Sequence, residues 1–373
     1  MSQDAPALSV VDRMRLLRLQ VQHLRSLVEV KLELAPGINL FVGANGAGKT
    51  SLLEAAFLLS HGRSFRSGAK DALLQRGASS LSIFAELQGI DGQAHRLGLG
   101  REGGRWTARL DHAAVTVGDL VTHCAVTCFE PGSHALIAGG AEERRRYLDW
   151  GVFHVEHAFL SAWRRYQRAL KQRNSLLRSL AGPADPGLFQ PWEHELAQCA
   201  ALIDVQRAHY LARLRPFLAA SMGQLLPELG AVELRYRRGW PDDEALDDLL
   251  HAQRGRDLAR GHTSQGAHRA DWSVSFEQAP QREHLSRGQE KLVALGCVLA
   301  QASLYAELRG EWPVICLDDL ASELDVAHQA AVVEHLRLAQ AQVLLTGTEV
   351  PLAIGDTPAT VFHVEQGQAT PLL

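Results

Sequence analysis

Residues 43–50 of the chain read Gly43-Ala44-Asn45-Gly46-Ala47-Gly48-Lys49-Thr50. This stretch matches the pattern G-x-x-x-x-G-K-[ST], and an apolar segment precedes it while a helix-forming segment follows it. Glycines let such a loop curl so that successive backbone N–H groups point at phosphate oxygens, and the helix start adds partial positive charge. The stretch therefore predicts a phosphate-binding loop, in which Lys49 reaches the β- and γ-phosphates and Thr50 ligates Mg²⁺.

The segments around this loop predict an α/β sheet. Residues 17–34 alternate apolar and polar side chains, which indicates two strands that each have one buried face. Residues 38–42 form a short apolar strand, and 49–60 predict a helix that ends at Gly62. Because alternation returns at 81–99, we expect the first third of the chain to form a mixed sheet with one crossover helix.

A second apolar strand, late in the chain, ends in two carboxylates. Its sequence is Val314-Ile315-Cys316-Leu317-Asp318-Asp319. Parallel α/β sheets bind ligands at the carboxyl ends of their strands, so Asp318 is placed to hold Mg²⁺ and Asp319 to face the attacking water. The alternative is an ordinary strand end with a helix cap, a position that favours Asp on its own. Lys49 and Asp319 are our candidate catalytic residues.

Between these two motifs lies the sequence Leu285-Ser286-Arg287-Gly288-Gln289, directly before a predicted helix. Ser286 could simply cap that helix, whose exposed N–H groups attract anions. The order of the motifs, however, resembles the ABC-type ATPases, whose signature loop closes over a nucleotide held by a second subunit. In that interpretation Ser286, Gly288 and Gln289 contact the ATP of another copy.

The sequence Ser322-Glu323-Leu324-Asp325 follows the second motif and resembles the D-loop of the same class. Asp325 would then lie at a dimer seam, or alternatively belong to a capping box of the next helix. One chain carries one loop of each kind. A complete site would therefore need two chains, head to tail, with two ATP molecules between them.

The chain between the motifs has a different composition. Residues 142–226 are rich in strong helix formers, and residues 253–272 are rich in Gly, His and Arg, which indicates a flexible connection. Buried strands return at 314–317 and 343–345, so the two halves of one sheet are separated by an insertion. We place an ATPase lobe at 1–123 and 285–373, and an inserted, mainly helical lobe at 124–284.

The overall charge does not by itself indicate nucleic-acid binding, because the chain has 38 Lys and Arg residues and 42 Asp and Glu residues. Nine cations nevertheless lie within one short part of the inserted lobe: Arg144, Arg145, Arg146, Arg164, Arg165, Arg168, Lys171, Arg173 and Arg178. Helical spacing brings several of them near one face, where they could neutralise DNA phosphates. The alternative is a solvated face. Our candidate DNA contacts are Arg164, Arg165, Arg168, Lys171 and Arg173.

The chain resembles the RecF family, bacterial recombination-repair ATPases related to SMC-type heads. The likeness runs from about residue 14 to the end. It is carried by Pro36-Gly37-Ile38-Asn39 before the phosphate loop and Thr50-Ser51-Leu52-Leu53-Glu54-Ala55 at its end, by His61-Gly62-Arg63-Ser64-Phe65-Arg66, by Arg144-Arg145-Arg146-Tyr147-Leu148-Asp149-Trp150-Gly151, by Leu317-Asp318-Asp319-Leu320-Ala321-Ser322-Glu323-Leu324-Asp325, and by Lys171-Gln172-Arg173-Asn174.

This resemblance implies an α/β fold of the P-loop ABC/SMC-type ATPase head, with a mixed sheet and an inserted helical lobe. It also implies an ATP- and Mg²⁺-dependent DNA-binding protein of DNA repair, replication and the SOS response that dimerises on ATP. Such a protein would act at gapped DNA, at junctions of single and double strands, with RecR and RecO as partners that help RecA load. ATP turnover would be slow and switch-like.

The chain departs from the ABC pattern in three places. Asp319 stands where that class normally has Glu, and the shorter carboxylate fits weak hydrolysis. Residues 129–132 contain no Gln, and residues 346–349 contain no His. The groups that position the water are therefore not given by the motifs. Arg66 is a candidate γ-phosphate contact by analogy with SMC-type heads, with a solvated arginine as the alternative.

Two other functions use a phosphate loop. The nucleotide-binding motor subunit of an ABC transporter would not need so large an insertion between Gly48 and Asp318. A P-loop kinase or GTPase lacks the signature loop at Ser286. No uncharged apolar stretch of about 20 residues is evident, so we expect a cytoplasmic protein without a membrane partner.

Overall fold

A computed structural model describes residues 14–66, 73–89, 92–179 and 186–372. Its strands are β1 (Arg15–Leu24), β2 (Leu27–Glu33), β3 (Ile38–Val42), β4 (Ser80–Gln88), β5 (Ala94–Glu102), β6 (Arg105–Leu110), β7 (Ala113–Val115), β8 (Val126–Phe129), β9 (Val232–Arg237), β10 (Asp271–Phe276), β11 (Val314–Leu317), β12 (Val343–Gly347), β13 (Ala359–Glu365) and β14 (Gln368–Pro371). Its helices are α1 (Lys49–His61), α2 (Val117–Leu120), α3 (Ala135–Ala138), α4 (Ala141–Val155), α5 (Phe159–Ser179), α6 (Pro186–Leu225), α7 (Leu246–Ala252), α8 (Arg254–Arg260), α9 (Arg287–Arg309), α10 (Leu320–Glu323) and α11 (Val326–Ala339).

The chain divides into two compact units, Met1–His134 with Arg287–Leu373, and Ala135–Ser286. In the first unit, one sheet has the strand order β14-β13-β3-β12-β11-β8, parallel except for β14. β3 and β8 precede the inserted unit, and β11, β12 and β13 follow it. Strands from both sides of the inserted unit therefore lie in one sheet.

The strands expected at 17–34 and 81–99 form a sheet of their own. Its order is β2-β1-β4-β5-β6-β7, and every pairing is antiparallel. The expectation that the first third of the chain forms one mixed sheet is therefore wrong. Strands joined by short turns pair with their chain neighbours, whereas β3 finds parallel partners from the far end of the chain.

Helix α1 lies between these two sheets. It contacts β1 in the antiparallel sheet and β8, β11 and β12 in the parallel one. Nearly all of its residues are buried, which explains why its sequence is apolar on every side. Gly62 ends the helix in the left-handed conformation, as predicted.

The inserted unit begins at Ala135 rather than at residue 124. Strand β8 belongs to the first unit because it pairs with β11 from Val126↔Val314 to Phe129↔Leu317. The predicted boundary was too early because a four-residue apolar strand carries little signal without its distant partner. The inserted unit holds α3 to α8 and the antiparallel pair β9 and β10.

The flexible connection expected at 253–272 is not what the structure shows. This segment forms α8, and Thr263 and Ala267 are buried. The Tyr166 hydroxyl lies 2.6 Å from His268 Nδ1, and His268 Nε2 lies 3.0 Å from the Thr263 carbonyl. Burial lowers the pKa of His268 to about 4, so the ring is neutral near pH 7. Contacts with α5 fix the segment, and its composition could not reveal them.

Helix α9 is the described helix whose length and composition would allow it to cross a membrane. Of that apolar window, 67% is buried inside the protein, and the helix packs on β8. These contacts make α9 a core helix of the first unit.

Candidate nucleotide-binding site

The loop between β3 and α1 has the backbone that phosphate binding requires. Gly46 and Gly48 have φ values of 82° and 117°, which side chains of L-residues rarely adopt. A Cβ at Gly48 would also lie only 2.9 Å from the Leu27 side chain. Position 48 therefore has no room for another residue, and its glycine brings the backbone N–H groups to the start of α1.

Lys49 is buried at the start of α1 and folds back over the loop. Its Nζ donates to the carbonyl oxygens of Gly43 at 2.7 Å and Ala44 at 2.9 Å. Burial lowers the pKa of the Lys49 amine, while the charges of Asp319 and Asp318 act in the opposite direction. A buried cation held at the mouth of a loop of N–H groups is a strong attractor for a phosphate anion.

The acidic motif at the end of β11 meets the phosphate loop directly. Asp318 Oδ1 accepts hydrogen bonds from Thr50 Oγ1 at 2.9 Å and from Thr346 Oγ1 at 2.7 Å. Burial raises the pKa of Asp318, and the two hydroxyl donors partly offset this effect. The order β3-β12-β11 explains the meeting, because the ends of these strands lie side by side.

Asp319 adopts a conformation that is unusual for a residue other than glycine. Its φ is 54°, and its backbone N–H donates to Thr346 Oγ1 at 2.8 Å. Such left-handed residues cost free energy and cluster at functional sites. The Thr346 hydroxyl thus fixes both acids, a role that the motifs did not indicate.

The oxygen atoms at this point fit a magnesium ion. Mg²⁺ prefers oxygen ligands, and in nucleotide sites it uses one or two protein oxygens together with phosphates and water. Thr50 and Asp318 offer a hydroxyl and a carboxylate oxygen 2.9 Å apart. These two residues are the ones that would hold the ion.

A cleft of about 300 Å³ brings most of the predicted site residues together. Its walls are Arg25, Ser26, Asn45, Gly46, Gly48, Lys49, Thr50, Ser51, Arg66, Asp318, Asp319 and Thr346. Gly43, Ala44 and Ala47 belong to the same loop but do not line the cleft. Arg66, with a side chain 35% exposed, also lies on the wall, and its role as a γ-phosphate contact stays a prediction.

Four predicted nucleotide contacts outside the phosphate loop do not line this cleft. Ser286 and Gly288 are exposed, and Gln289 is half-buried in the first turn of α9. Asp325 is the N-cap of α11, where its carboxylate accepts from the backbone N–H of His328 at 2.9 Å. Asp325 therefore caps α11 through its side chain, and the dimer-seam role stays a prediction.

Sequence reasoning missed several residues around the cleft. Arg25 lies in the turn between β1 and β2, and its guanidinium binds both oxygens of the buried Glu54 on α1. Glu54 was a visible signal, because it is the one acid in the apolar helix 49–61. Its partner in a distant turn could not be read from local pattern.

Glu130 is a further missed residue at the carboxyl edge of the sheet. It follows β8, whose last residue Phe129 pairs with Leu317, so Glu130 is level with Asp318. Burial raises the pKa of Glu130, and the nearby Asp318 adds to the rise. Its Oε2 accepts from the Gly132 N–H at 2.6 Å. An acid therefore stands in the segment where the ABC class has a glutamine.

The predicted DNA-contacting set needs one correction. Arg173 is fully buried, and it donates to Asp257 at 2.7 Å and to Glu193 at 3.1 Å. A guanidinium enclosed by two carboxylates cannot meet a DNA phosphate, so that prediction is wrong. Arg165 is exposed but paired with Glu195 at 2.7 Å. Arg164, Arg168 and Lys171 are exposed, as a DNA-contacting role requires.

Comparison with known proteins supports this geometry. A family model described as RecF/RecN/SMC N terminal domain matches residues 15–370. The DNA replication and repair protein RecF of Stenotrophomonas maltophilia (strain R551-3) is 50% identical over 362 residues, covering 95% of this chain and 99% of the relative. The protein of the same name from Pseudomonas putida (strain W619) is 39% identical, with 96% and 98% covered.

Solved structures give the same answer. The recombination mediator protein RecF-ATP of the RecFOR pathway superposes with a TM-score of 0.89 at 26% identity, covering 97% of this chain and 99% of that one. An Smc head domain from Pyrococcus furiosus has a TM-score of 0.58 at 14% identity over 96% of both chains, which shows the fold alone. The predicted class of an ABC/SMC-type ATPase head is thus confirmed. The chain belongs to the RecF family of DNA replication and repair proteins.

Proposed function

We propose that this chain is an ATP-dependent DNA-binding protein of recombinational repair, acting as a switch that pairs with a second copy on ATP. The observation that best supports nucleotide binding is the hydrogen bond between Thr50 and Asp318, which lies beside the buried Lys49. This arrangement joins a phosphate cradle to a magnesium-binding oxygen pair. The ABC-transporter alternative is not favoured, because the matched relatives are DNA replication and repair proteins over nearly their whole length.

In the proposed site each residue has one task. Lys49 exchanges its loop carbonyls for β- and γ-phosphate oxygens, and the loop N–H groups bind the remaining phosphate oxygens. Thr50 and Asp318 hold Mg²⁺, which neutralises phosphate charge when bound. Asp319 faces the water that attacks, held in place by Thr346. Its short carboxylate fits weak hydrolysis, stimulated by DNA.

The second copy supplies the other half of the site. Ser286, Gly288 and Gln289 stand at the start of α9, where helix N–H groups attract anions, and both Ser286 and Gly288 are exposed. In a head-to-tail pair they would close over ATP held by Lys49 of the partner copy. Asp325, with a carboxylate 64% exposed, would lie at the same seam.

Ser286→Arg is expected to prevent ATP-driven dimerisation while leaving ATP binding by the monomer intact. A large cation at this helix start would clash with the partner copy, yet Ser286 does not line the cleft of its own chain. Sedimentation velocity with and without ATP measures the dimer, and Ser273→Arg, at an exposed serine of β10, is the control. If the Ser286 variant still dimerises normally with ATP, this result would contradict the head-to-tail arrangement.

The DNA-contacting surface that we propose is one face of α5. At 3.6 residues per turn, Arg164, Arg168, Lys171 and Arg178 fall within about 80° of the helix circumference and span about 21 Å. All four are exposed, while Arg165 lies outside this stripe and Arg173 points to the opposite side. A row of cations of this length can follow a phosphate backbone and release its counterions.

Charge removal on this stripe should weaken DNA binding in a salt-dependent manner. The double variant Arg168→Gln/Lys171→Gln is expected to lower the slope of log affinity against log salt by about 1.8 per bound chain, because each phosphate contact contributes about 0.9. The control is Arg235→Gln/Arg237→Gln, which removes two exposed cations of β9. Equal slopes for the two variants would refute this location.

We expect an assembly that depends on both ATP and DNA. With ATP and a gapped duplex the protein should sediment as a dimer on DNA, and without ATP as a monomer. A salt series separates the electrostatic part of DNA binding. RecR and RecO are the partners that we propose at single-strand gaps and junctions, helping RecA to load in the cytoplasm. A failure of ATP to change the sedimentation would overturn the switch.

A further inference from the structure

A buried carboxylate lies beside the phosphate cleft and joins three separate segments of the chain. Glu54 of α1 has a side chain with 0% exposure. Arg25 donates to it twice, from Nε to Oε2 at 3.0 Å and from Nη2 to Oε1 at 2.8 Å. Ser64 Oγ donates to Oε1, and Arg66 Nη1 lies 3.8 Å from Oε2. The carboxylate thus connects the turn after β1, helix α1 and the segment that follows α1.

This arrangement does more than neutralise a buried acid. A bidentate bond fixes the plane of a guanidinium, and two of the five N–H donors of Arg25 point at Glu54. The backbone of Arg25 is fixed as well, because its N–H donates to the Leu73 carbonyl at 2.8 Å and its φ is 56°. Arg25 and Arg66 both line the cleft together with Lys49. Two oriented cations therefore face the space where phosphates would bind.

The position of these cations indicates which phosphates they meet. Thr50 and Asp318 are the residues that would hold Mg²⁺, so they mark the end of the cleft where the terminal phosphates of a bound nucleotide would lie. Arg66 lines the same cleft as Thr50 and Asp318, which places it near that end. Arg25 binds the same carboxylate that Arg66 approaches, so its guanidinium lies close by.

We propose that Glu54 is a positioning residue that holds Arg25 and Arg66 at the terminal phosphates, so that the chain distinguishes ATP from ADP. This inference rests on the proposed nucleotide-binding function and assigns specificity within that site. The physical reason is pre-organisation. An arginine already oriented by a buried carboxylate loses little freedom when it binds the γ-phosphate, and ADP has no such group to meet.

The test is the affinity for two nucleotides, measured with fluorescent ATP and ADP on the full chain. Glu54→Gln and Arg25→Gln are expected to weaken ATP binding by about tenfold or more, and ADP binding by less than about threefold. Arg18→Gln is the matched control, because Arg18 lies on the same hairpin but pairs with Glu33 and Glu86 outside the cleft. It should leave both affinities unchanged.

The ratio of the two affinities separates positioning from a merely structural role. If Glu54 only held the hairpin to α1, its loss would lower the melting temperature and leave the ratio as in the unaltered chain, which would overturn the inference. Should Glu54→Gln fail to fold, Arg66→Ala carries the test, because it keeps the Glu54–Arg25 pair. A ratio of ATP affinity to ADP affinity that is unchanged in both Arg66→Ala and Arg25→Gln would also overturn the inference. An unaltered chain that binds neither nucleotide would instead refute the proposed function itself.

Discussion

Lys49→Ala is expected to weaken ATP binding by at least about a hundredfold. The Lys49 ammonium is buried at the cleft, and its charge-assisted hydrogen bonds to two phosphates would each contribute about 1.5–3 kcal/mol. Their combined loss corresponds to two orders of magnitude or more in affinity. Titration of the variant with fluorescent ATP or by calorimetry gives the number directly.

The control for this prediction is Lys31→Ala. Lys31 lies on β2, its side chain is 64% exposed, and its partner is Glu29 rather than the phosphate loop. ATP affinity should not change in that variant. Because burial lowers the pKa of Lys49, removing this ammonium should not destabilise the fold. An affinity within a few-fold of the unaltered chain would mean that residues 43–50 do not cradle a triphosphate.

Arg173→Met is expected to destabilise the inserted unit by about 3–5 kcal/mol, because it leaves buried carboxylates without their cation. Arg173 joins Glu193 on α6 to Asp257 on α8, and it also donates to Thr263 Oγ1 at 2.9 Å. Arg254 still pairs with Glu193 in the variant, whereas Asp257 keeps only its neutral donors. Urea denaturation measures the free energy of unfolding.

Arg165→Met is the matched control on the same helix. Its pair with Glu195 is exposed to solvent, where water and salt screen the two charges, so its loss should barely change the free energy of unfolding. Similar costs for the two variants would show that the Arg173 cluster contributes no more than a surface pair. DNA binding by Arg173→Met should fall only under conditions where the unit unfolds, because Arg173 cannot reach a phosphate.

Much of the candidate site could be predicted because its signals are local. The phosphate loop is one continuous octapeptide between a strand and a helix, and β3 and the body of α1 lie where the sequence placed them. The strand before Asp318 was equally clear, since four buried residues precede two acids. In each case the chemistry depends on neighbouring residues along the chain, whose order the sequence states.

The predictions that proved wrong concern residues whose partners are distant along the chain. Arg173 was assigned to DNA because helical spacing shows which residues share a face, but not which face is covered. The acids that cover it come from α6 and α8. Strand β8 was placed in the wrong lobe because its only partner within the described residues, β11, follows the insertion. Segment 253–272 looked flexible because its hydrogen-bond partners lie on other helices, namely α4, α5 and α6.

The sequence by itself determined the phosphate loop, the acidic strand end, the helical insertion and the family. The tertiary structure alone decided that Thr50, Asp318 and Thr346 share hydrogen bonds, and that Glu54 binds Arg25. The physical reason is how far apart along the chain the interacting residues lie. Backbone curl and strand burial are set by adjacent residues, whereas a hydrogen bond between side chains far apart in the chain exists only after the sheet has brought its strand ends together.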